Sequence, residues 1–489
     1  MRYWIMSFTL ILFAAIHSES QETKKKDDGG KDSKSEHKEP TEYLGKSFDQ
    51  WREDLNFAKQ KDPSKREAAM KAVLMFSLTK AGDAMPDIVA DLKRHPKVNV
   101  DLSVRVNGIM ALNTYFLHGA NAKKKPDSTL VKDVLDMYKR FLKDPQVIVK
   151  ERTVQGLKYI GPEARDLLDD VIPLAKDSST WELRKEAIPI LVLLAAKEKG
   201  PGDTKALTAL RFVADPKNEN SYVVRALAVT GLGIVGHDTA LVDIKKALND
   251  KSKDVRIAAV QAMVYSKDLA LIDLKRVIDD KDQVQPKEVR LAAIPTYGAA
   301  GEEKALKGLS ELLSHPDKDF RMAALNTIAQ LAKHIKTQPK DLTFKKLEER
   351  IPVEKEPIIN IWLHTTIMIA LGGVDKQHMQ AISPKLKHKD KPVRLTALQV
   401  IAMAGPKAKP FCYDPVMELI NDADAHVAVS AIETLVHLHA YEAIPTLKML
   451  MDDMKMRPEI REACETAIDH FDVLKMKEKN EKKTPPDKK

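Results

Sequence analysis

The sequence predicts an all-α protein, a right-handed α-solenoid of about twelve helix pairs. The 489 residues are too many for one ordinary core, and 5% aromatic residues with 19 Gly are too few for a sheet-rich protein. A pattern of an apolar residue, a cation and then a small residue recurs along residues 47–472. Within each recurrence the apolar residues follow the spacing of an amphipathic helix, which indicates helices stacked as repeats.

The first twenty residues are predicted to be a secretory signal peptide. Arg2 precedes an apolar run over residues 4–16, and the small residues Ser18 and Ser20 stand before Gln21. A retained membrane anchor is the alternative. It is less favoured because the run is shorter than the roughly 20 residues that span a bilayer. We therefore expect an exported protein, periplasmic or secreted, with no membrane span once the signal is cleaved.

The two ends of the remaining chain are predicted to be disordered. Residues 21–46 balance seven Lys against seven acidic residues, with almost no apolar side chain to bury, and form a charged tether. Residues 473–489 form a Lys-rich tail that carries +4 of the formal net charge of +9. The charge left for the repeat region is small, so we expect no nucleic-acid partner.

The repeat is aligned on the cation of each unit. Successive anchor positions lie 31 to 45 residues apart. The anchors are Arg66, Arg105, Lys150, Arg184, Arg225, Arg256, Arg290, Arg321, Leu363, Arg394, Ala428 and Arg461. These twelve units fill residues 47–472 and leave no room for another domain.

Each unit divides into two predicted helices. In the half that carries the anchor, Val255, Ala258, Ala259 and Ala262 recur at helical spacing. The first helix of the chain has its own start signal, because Ser47 and Gln50 fit a capping box. Gly231 to Gly233 and Gly372 to Gly373 are predicted to stop helices.

The repeats resemble HEAT repeats, in particular the short HEAT-like repeats of phycobilisome lyases. The best match is formed by Asp254, Val255, Arg256 and Ala259. The opening YLGKSFDQWREDL followed by DPSKREAAMKAV is similar to the first repeat of exported bacterial HEAT-domain proteins. The units at Leu363 and Ala428 depart from the pattern because they lack the cation.

The resemblance implies a structural role for the ladder of cations, in which each bonds to the loop of an adjacent repeat. The ladder consists of Arg66, Arg105, Lys150, Arg184, Arg225, Arg256, Arg290, Arg321, Arg394 and Arg461. The alternative is that these cations line the concave face and bind an anionic ligand. Their recurrence in nearly every unit favours the structural role.

No motif predicts catalysis, a cofactor, a metal or a small-molecule substrate. Cys412 and Cys464 are the only thiols, so no zinc or haem-attachment pattern exists, and the two are interpreted as buried small residues or as a disulfide between adjacent repeats. His437 and His439 are two residues apart, which places them on different helix faces.

An insertion over residues 334–357 interrupts the short period and is predicted to contain a helix over 341–351. Insertions in repeat proteins often lie on a binding face. The candidate partner-binding residues are Phe344, Lys345, Lys346, Trp362 and His364.

Three functions remain open from the sequence. The leading hypothesis is a non-enzymatic exported scaffold or adaptor that binds partner proteins through the solenoid surface. The second is a binder of anionic cell-surface polymer, which would use the ladder and the Lys-rich tail. The third, an enzyme, is implied only because some HEAT-like proteins are bilin lyases or alkylpurine DNA glycosylases.

Overall fold

The computed structural model of the chain describes residues 40–95, 100–282, 284–333 and 342–481. The predicted signal peptide and most of the predicted tether lie outside the described residues. Within these ranges the chain forms one short hairpin followed by twelve helix pairs. The fold is therefore an α-solenoid with the number of repeats that the anchor spacing predicts.

The hairpin precedes the first repeat. Its antiparallel strands are Glu42–Tyr43 and Lys46–Ser47, joined by Leu44 and Gly45, whose φ angles of 49° and 74° suit a tight two-residue turn. The Trp51 indole N–H donates to the carbonyl oxygen of Tyr43 over 2.8 Å and ties the hairpin to the first helix. The prediction of a disordered tether up to residue 46 is therefore wrong for its last residues, because Trp51 gives this short segment a packing partner.

Each repeat contributes one helix to each of two layers. We call the helices that carry the anchors the ladder helices, and the other layer the opposite layer. The opposite-layer helices are Phe48–Leu55, Leu78–Leu92, Ser128–Phe141, Leu168–Val171, Thr204–Ala214, Leu241–Ala247, Leu271–Asp279, Leu306–Leu312, Leu342–Arg350, Lys376–Ile382, Lys409–Glu418 and Ile444–Asp452. The ladder helices are Pro63–Ala72, Leu102–Asn121, Val147–Ile160, Trp181–Ala195, Tyr222–Gly236, Lys253–Ala262, Lys287–Gly301, Lys318–Ala332, Pro357–Ala370, Lys391–Ala404, Ala425–His437 and Pro458–Glu481.

Short 3₁₀ turns connect many of these helices. They are Val73–Met75, Gly161–Leu167, Leu174–Lys176, His237–Ala240, Met263–Ala270, Glu302–Ala305, Ile351–Val353, Ser383–Lys387, Gly405–Ala408, Leu419–Asn421 and Tyr441–Ala443. The capping box predicted at the first helix is present: Gln50 N–H donates to the Ser47 hydroxyl, and the Ser47 N–H donates to the Gln50 side chain.

Every ladder helix contacts the next ladder helix, from the first repeat to the last. The buried side chains between the layers form one apolar cluster from Phe48 to Ile367 and a second from Ile361 to Phe471. The two clusters meet at the ladder helix Pro357–Ala370, which gives Leu363 to the first and Met368 to the second. The core of the solenoid is thus divided at the ninth repeat.

Glycines inside the ladder helices allow neighbouring helices to approach closely. Gly231 lies within Tyr222–Gly236, where a Cβ atom would lie 2.6 Å from Val192. The prediction that Gly231 to Gly233 stop a helix is therefore wrong, because these glycines serve packing. By contrast, Gly372 has a φ of 75° just after Ala370 and does end its helix.

Gly156 is the tightest such position in the third repeat. A Cβ there would overlap the side-chain oxygen of Asn113 and lie 2.7 Å from the Tyr138 ring. The buried Tyr138 hydroxyl donates to that oxygen over 2.6 Å, and the Asn113 amide donates to the carbonyl of Arg152 over 2.8 Å. A hydrogen-bonded core amide therefore requires glycine opposite it.

The last helix extends further than the sequence predicts. It continues to Glu481, and Glu478 accepts a hydrogen bond from the Tyr441 hydroxyl at 2.6 Å. The Lys475 ammonium lies 5.6 Å from the centre of the Tyr441 ring. The prediction of a disordered tail from residue 473 is therefore wrong up to residue 481, because the helix contacts Tyr441 in the turn Tyr441–Ala443. Residues 482–489 lie outside the described part.

Candidate protein-interaction surface

The ladder cations lie between consecutive repeats. Arg225 is 6% exposed, and its guanidinium binds both carboxylate oxygens of Asp250 in the next repeat, each over 2.8 Å. The same guanidinium donates to the carbonyls of Glu219 and Asn220, just before its own helix. One side chain therefore joins the loop before its own helix to the loop of the following repeat.

This geometry recurs along the solenoid. Arg66, Arg321 and Arg394 also donate to the carbonyls five and six residues earlier. The carboxylates that pair with the cation of the preceding repeat are Asp91, Asp144, Asp177, Glu219, Asp250, Glu354 and Asp422. These contacts are the ones expected of a structural ladder.

Most of these carboxylates also hold their own loop. All except Asp91 accept the backbone N–H two residues later at 2.8 to 3.0 Å. Burial raises the pKa of Glu219, but hydrogen bonds from Arg184 and the Ser221 N–H outweigh it and leave the pKa below its usual value. The carboxylate is therefore ionised at neutral pH.

Sequence reasoning identified the cations and missed these acids. The signal was present, because Asp144, Glu219 and Asp250 each stand six residues before the next anchor. Three anchors make a simpler contact with backbone carbonyls. Arg256 donates to the loop carbonyls of Asp250 and Val284. Arg290 and Arg461 donate to carbonyls at the C-terminal ends of the preceding opposite-layer helices. The ladder thus does not present a row of free guanidinium groups to a ligand.

The residues predicted to bind a partner do not form one exposed surface. Phe344 and Trp362 are half-buried against the core. Lys345 and Lys346 are exposed and pair with Glu349 at 3.9 Å and 2.9 Å. His364 is only 6% exposed, so the prediction that it contacts a partner is wrong: its helix turns that face into the core.

His364 instead forms a buried pair at the division of the core. Its Nδ1 lies 2.9 Å from the Nδ1 of His378, on the next opposite-layer helix. Burial, followed by the charges of His378 and Lys385, lowers the pKa of His364 to about 4. Burial also lowers the pKa of His378, against the raising effect of Asp375 and Glu348. Both imidazoles are therefore neutral at pH 7, and the Nδ1–H of one ring donates to the unprotonated Nδ1 of the other.

A different set of residues lies exposed along one edge of the ladder layer. We call the first residue of each ladder helix the helix-start row. In the sixth to eighth and tenth repeats the row holds Lys253, Lys287, Lys318 and Lys391. Each lysine pairs with carboxylates of the next repeat at 2.6 to 3.8 Å. The pairs are Lys253 with Glu288, Lys287 with Asp317 and Asp319, Lys318 with Glu356, and Lys391 with Asp424.

The same row is apolar in the second to fifth repeats. It holds Leu102, Val147, Trp181 and Tyr222. Leu102 and Trp181 are each 41% exposed, and Tyr222 is 49% exposed. The row thus changes from apolar to internally paired lysines halfway along the solenoid.

Carboxylates flank the apolar part of the row. They are Asp62, Glu67, Asp101, Glu151 and Glu182, and within the described residues none of them forms a salt bridge. A groove of about 790 Å³ runs along the first three ladder helices here, lined by Asp62, Glu67, Leu102 and Ile148 among others. This edge combines exposed apolar area with unpaired negative charge.

The remaining features of the described part of the chain concern its thiols, its metal-binding side chains and its apolar helices. Cys412 and Cys464 are free and buried, and burial raises the pKa of each thiol to about 11. No group of three metal-binding side chains occurs among the residues described. One helical stretch there, Tyr222–Ala247, is long and apolar enough to cross a membrane, and half of its apolar window is buried in the solenoid.

Solved structures share this architecture. Kap95p bound to RanGDP matches with a TM-score of 0.52 and 12% identity, over 87% of this chain and 61% of that chain. The complex of Kap95 with Nup1 matches with a TM-score of 0.51 and 12% identity, over the same shares. No family model and no curated protein matches the sequence. The chain thus spans about three fifths of the length of these karyopherins, and the likeness shows the fold, a HEAT-repeat α-solenoid.

Proposed function

We propose that this HEAT-repeat protein is an exported, non-enzymatic scaffold that binds partner proteins along its solenoid surface. The observation that supports it is the unbroken ladder layer, in which every helix contacts the next. Such a layer presents similar positions at regular spacing over a long surface, which suits contact with another polypeptide. Kap95p and Kap95, the structural neighbours, are each seen with a protein partner.

Binding of an anionic polymer through the ladder has less support. Arg66, Arg225 and Arg321 are 2%, 6% and 7% exposed and already bind carboxylates and carbonyls. An incoming anion would have to displace these bonds, and breaking buried ion pairs is costly. Of the two elements assigned to such a role, the ladder and the Lys-rich tail, the tail has the better support.

A crosslinking pull-down from the native envelope fraction tests the scaffold function. The baits are the chain from Gln21 and the same chain ending at Glu481, because residues up to 481 belong to the last helix. We expect one defined protein partner from both baits, with crosslinks confined to one face. Recovery of polymer alone, lost with residues 482–489 or at high salt, would contradict the proposal.

Export is tested separately by the N terminus of the native protein. Cleavage before Gln21 in the envelope or secreted fraction supports export. An intact Met1 in the cytoplasmic fraction contradicts it. In that case the proposed binding of a partner protein would stand, and only the proposed export would be wrong.

A further inference from the structure

The two halves of the helix-start row satisfy their charges in different ways. In the later repeats Lys253, Lys287 and Lys391 sit beside the carboxylates of the next repeat and neutralise them. In the second to fifth repeats an apolar residue replaces that lysine. The nearby carboxylates form no salt bridge among the described residues: Asp62 accepts hydrogen bonds from Ser64, and Glu67 accepts one from Asn107. Large apolar side chains are left exposed beside them.

We propose that the apolar half of the helix-start row, with its groove, binds an extended segment of a partner protein in which Lys or Arg side chains alternate with apolar ones. The partner's cations would take the place that the lysines occupy in the later repeats. This inference rests on the proposed scaffold function and specifies the chemistry of its partner.

Apolar contacts supply the first part of the complementarity. Trp181 and Tyr222 begin consecutive ladder helices that pack against each other, so the two rings stand one repeat apart on the same edge. Rigid aromatic side chains are frequent centres of binding energy because they bury a large area with little loss of rotamer freedom. Leu102 and Ile148 extend this apolar area along the groove.

Charge supplies the second part. Burial raises the pKa of Glu151, the charge of Arg152 opposes this increase, and the carboxylates of Glu182 and Glu186 in the next repeat add a smaller increase. Beside Trp181 the chain supplies its own cation, because the Lys185 ammonium lies 5.8 Å from the ring centre. Negative charge is instead concentrated in the groove, whose lining in the described part of the chain includes Asp62, Glu67 and Asp101 and no Lys or Arg. A cation of a partner held in the groove would be attracted to these carboxylates, and such attraction weakens with salt.

The chain's own undescribed segments fit this edge less well than a partner does. Residues 21–39 and 482–489 carry lysines but no large apolar side chain that could cover Trp181 and Tyr222. Occupation by either segment is nevertheless a measurable outcome. If removal of residues 21–39 strengthens probe binding severalfold, the edge is covered by this chain itself and the assignment to a partner is overturned.

The test measures binding of a labelled 18-residue peptide of alternating Lys and Leu to the chain from Gln21, by fluorescence anisotropy at two salt concentrations. W181A/Y222A should weaken binding about tenfold or more, as loss of central aromatic contacts does. E151Q/E182Q should weaken it at low salt and flatten its salt dependence. A peptide with Glu in place of Lys should not bind.

Matched variants elsewhere serve as controls. V242A/I272A removes two exposed apolar side chains from the opposite layer, and E433Q/E462Q removes two exposed carboxylates from later ladder helices. Both should leave the affinity unchanged. If they weaken binding as much as the edge variants do, or if the edge variants have no effect, the proposed site is wrong.

The pull-down separates this inference from the scaffold function. A native partner crosslinked elsewhere, and retained by W181A/Y222A, would refute the site while the scaffold function stands. Recovery of no protein partner, with the peptide still bound at the edge, would instead refute the scaffold function. A partner crosslinked at Trp181 and lost with the edge variants supports both.

Discussion

Replacing Arg225 with methionine tests the energetic role of the ladder. The substitution keeps an unbranched side chain and removes the guanidinium. Asp250, whose side chain is 2% exposed, then loses both of its 2.8 Å hydrogen bonds from Arg225 and keeps only the Ser252 N–H. Two loop carbonyls, those of Glu219 and Asn220, lose a charged donor as well. The result is a buried carboxylate without a counterion.

The expected loss is about 3–5 kcal/mol, the cost of breaking a buried ion pair from one side. R225M/D250N should be less destabilised than R225M, because asparagine brings no buried charge and still accepts the Ser252 N–H. The matched control is Arg211→Met, since Arg211 pairs with Asp243 while 41% exposed. Exposed pairs contribute about 0–1 kcal/mol, so this variant should be nearly neutral.

Native-state hydrogen exchange is the appropriate measurement, because repeat arrays open locally and need not unfold in two states. Helices Tyr222–Gly236 and Lys253–Ala262 should lose protection in R225M, while the helix Pro63–Ala72 should not. Equal effects of R225M and R211M, or a loss below about 1 kcal/mol, would refute the argument that burial sets the energy of the pair.

The pH dependence provides an independent check. Burial raises the pKa of Asp250, but the Arg225 hydrogen bonds, the Ser252 N–H and nearby positive charge bring it below its usual 3.8. This stabilisation is present above the pKa of the unfolded chain and is lost as the pH falls through the folded value. In R225M only the Ser252 N–H and the charge of Arg256 still oppose burial, so the pKa of Asp250 should rise. The difference in unfolding free energy between R225M and wild type should therefore narrow between pH 7 and pH 4.

Three further predictions concern other parts of the fold. The pKa of His364 is about 4 in the folded protein and 6.5 in the unfolded chain. The unfolding free energy at the core division should therefore be highest above pH 6.5 and fall by about 2 kcal/mol at pH 5, as measured by local hydrogen exchange. Gly156→Ala should cost about 1–3 kcal/mol through overpacking, whereas Gly373→Ala, with open space around it, should be nearly neutral in urea unfolding. Deleting residues 473–489 should lower the Tm, and deleting 482–489 should not, because only the first removes the contacts on Tyr441.

Each of these has a distinct contradictory result. If acid left exchange in helix Pro357–Ala370 unchanged, or if His364→Leu kept the same acid response as wild type, the histidine pair would not control that region. Equal unfolding midpoints for the two glycine variants would mean that the third repeat adapts without cost. Equal Tm values for the two deletions would show that the last turns of the final helix add no stability.

The repeat number and the ladder were predictable because they arise from local periodicity. In an amphipathic helix the apolar residues recur at fixed spacing along the sequence. Leu363 and Ala428 mark units that the spacing identified even without their cation. Four acids of the ladder, Asp144, Glu219, Asp250 and Asp422, stand six residues before the next anchor. They were missed because a single carboxylate in a polar loop carries no local signal of burial.

The candidate site shows the opposite case. His364 and Trp362 looked available because they follow an irregular insertion, but which face of a helix is covered depends on the next repeat, not on neighbours in sequence. Conversely, no pattern in the sequence distinguished Trp181 and Tyr222 as exposed residues. Only the stacked ladder layer shows that the residues of the helix-start row lie at its edge, where the following repeat does not cover them.

The all-α class, the twelve repeats, the helix periodicity and the structural cations could all be predicted, since each depends on patterns within one repeat. Which charges are paired, where the core divides and which apolar residues remain exposed became visible only in the stacked helices. These properties depend on contacts between neighbouring repeats, such as Arg225 with Asp250, 25 positions apart, and His364 with His378, 14 positions apart. Stacking creates those contacts, and no single repeat contains both partners.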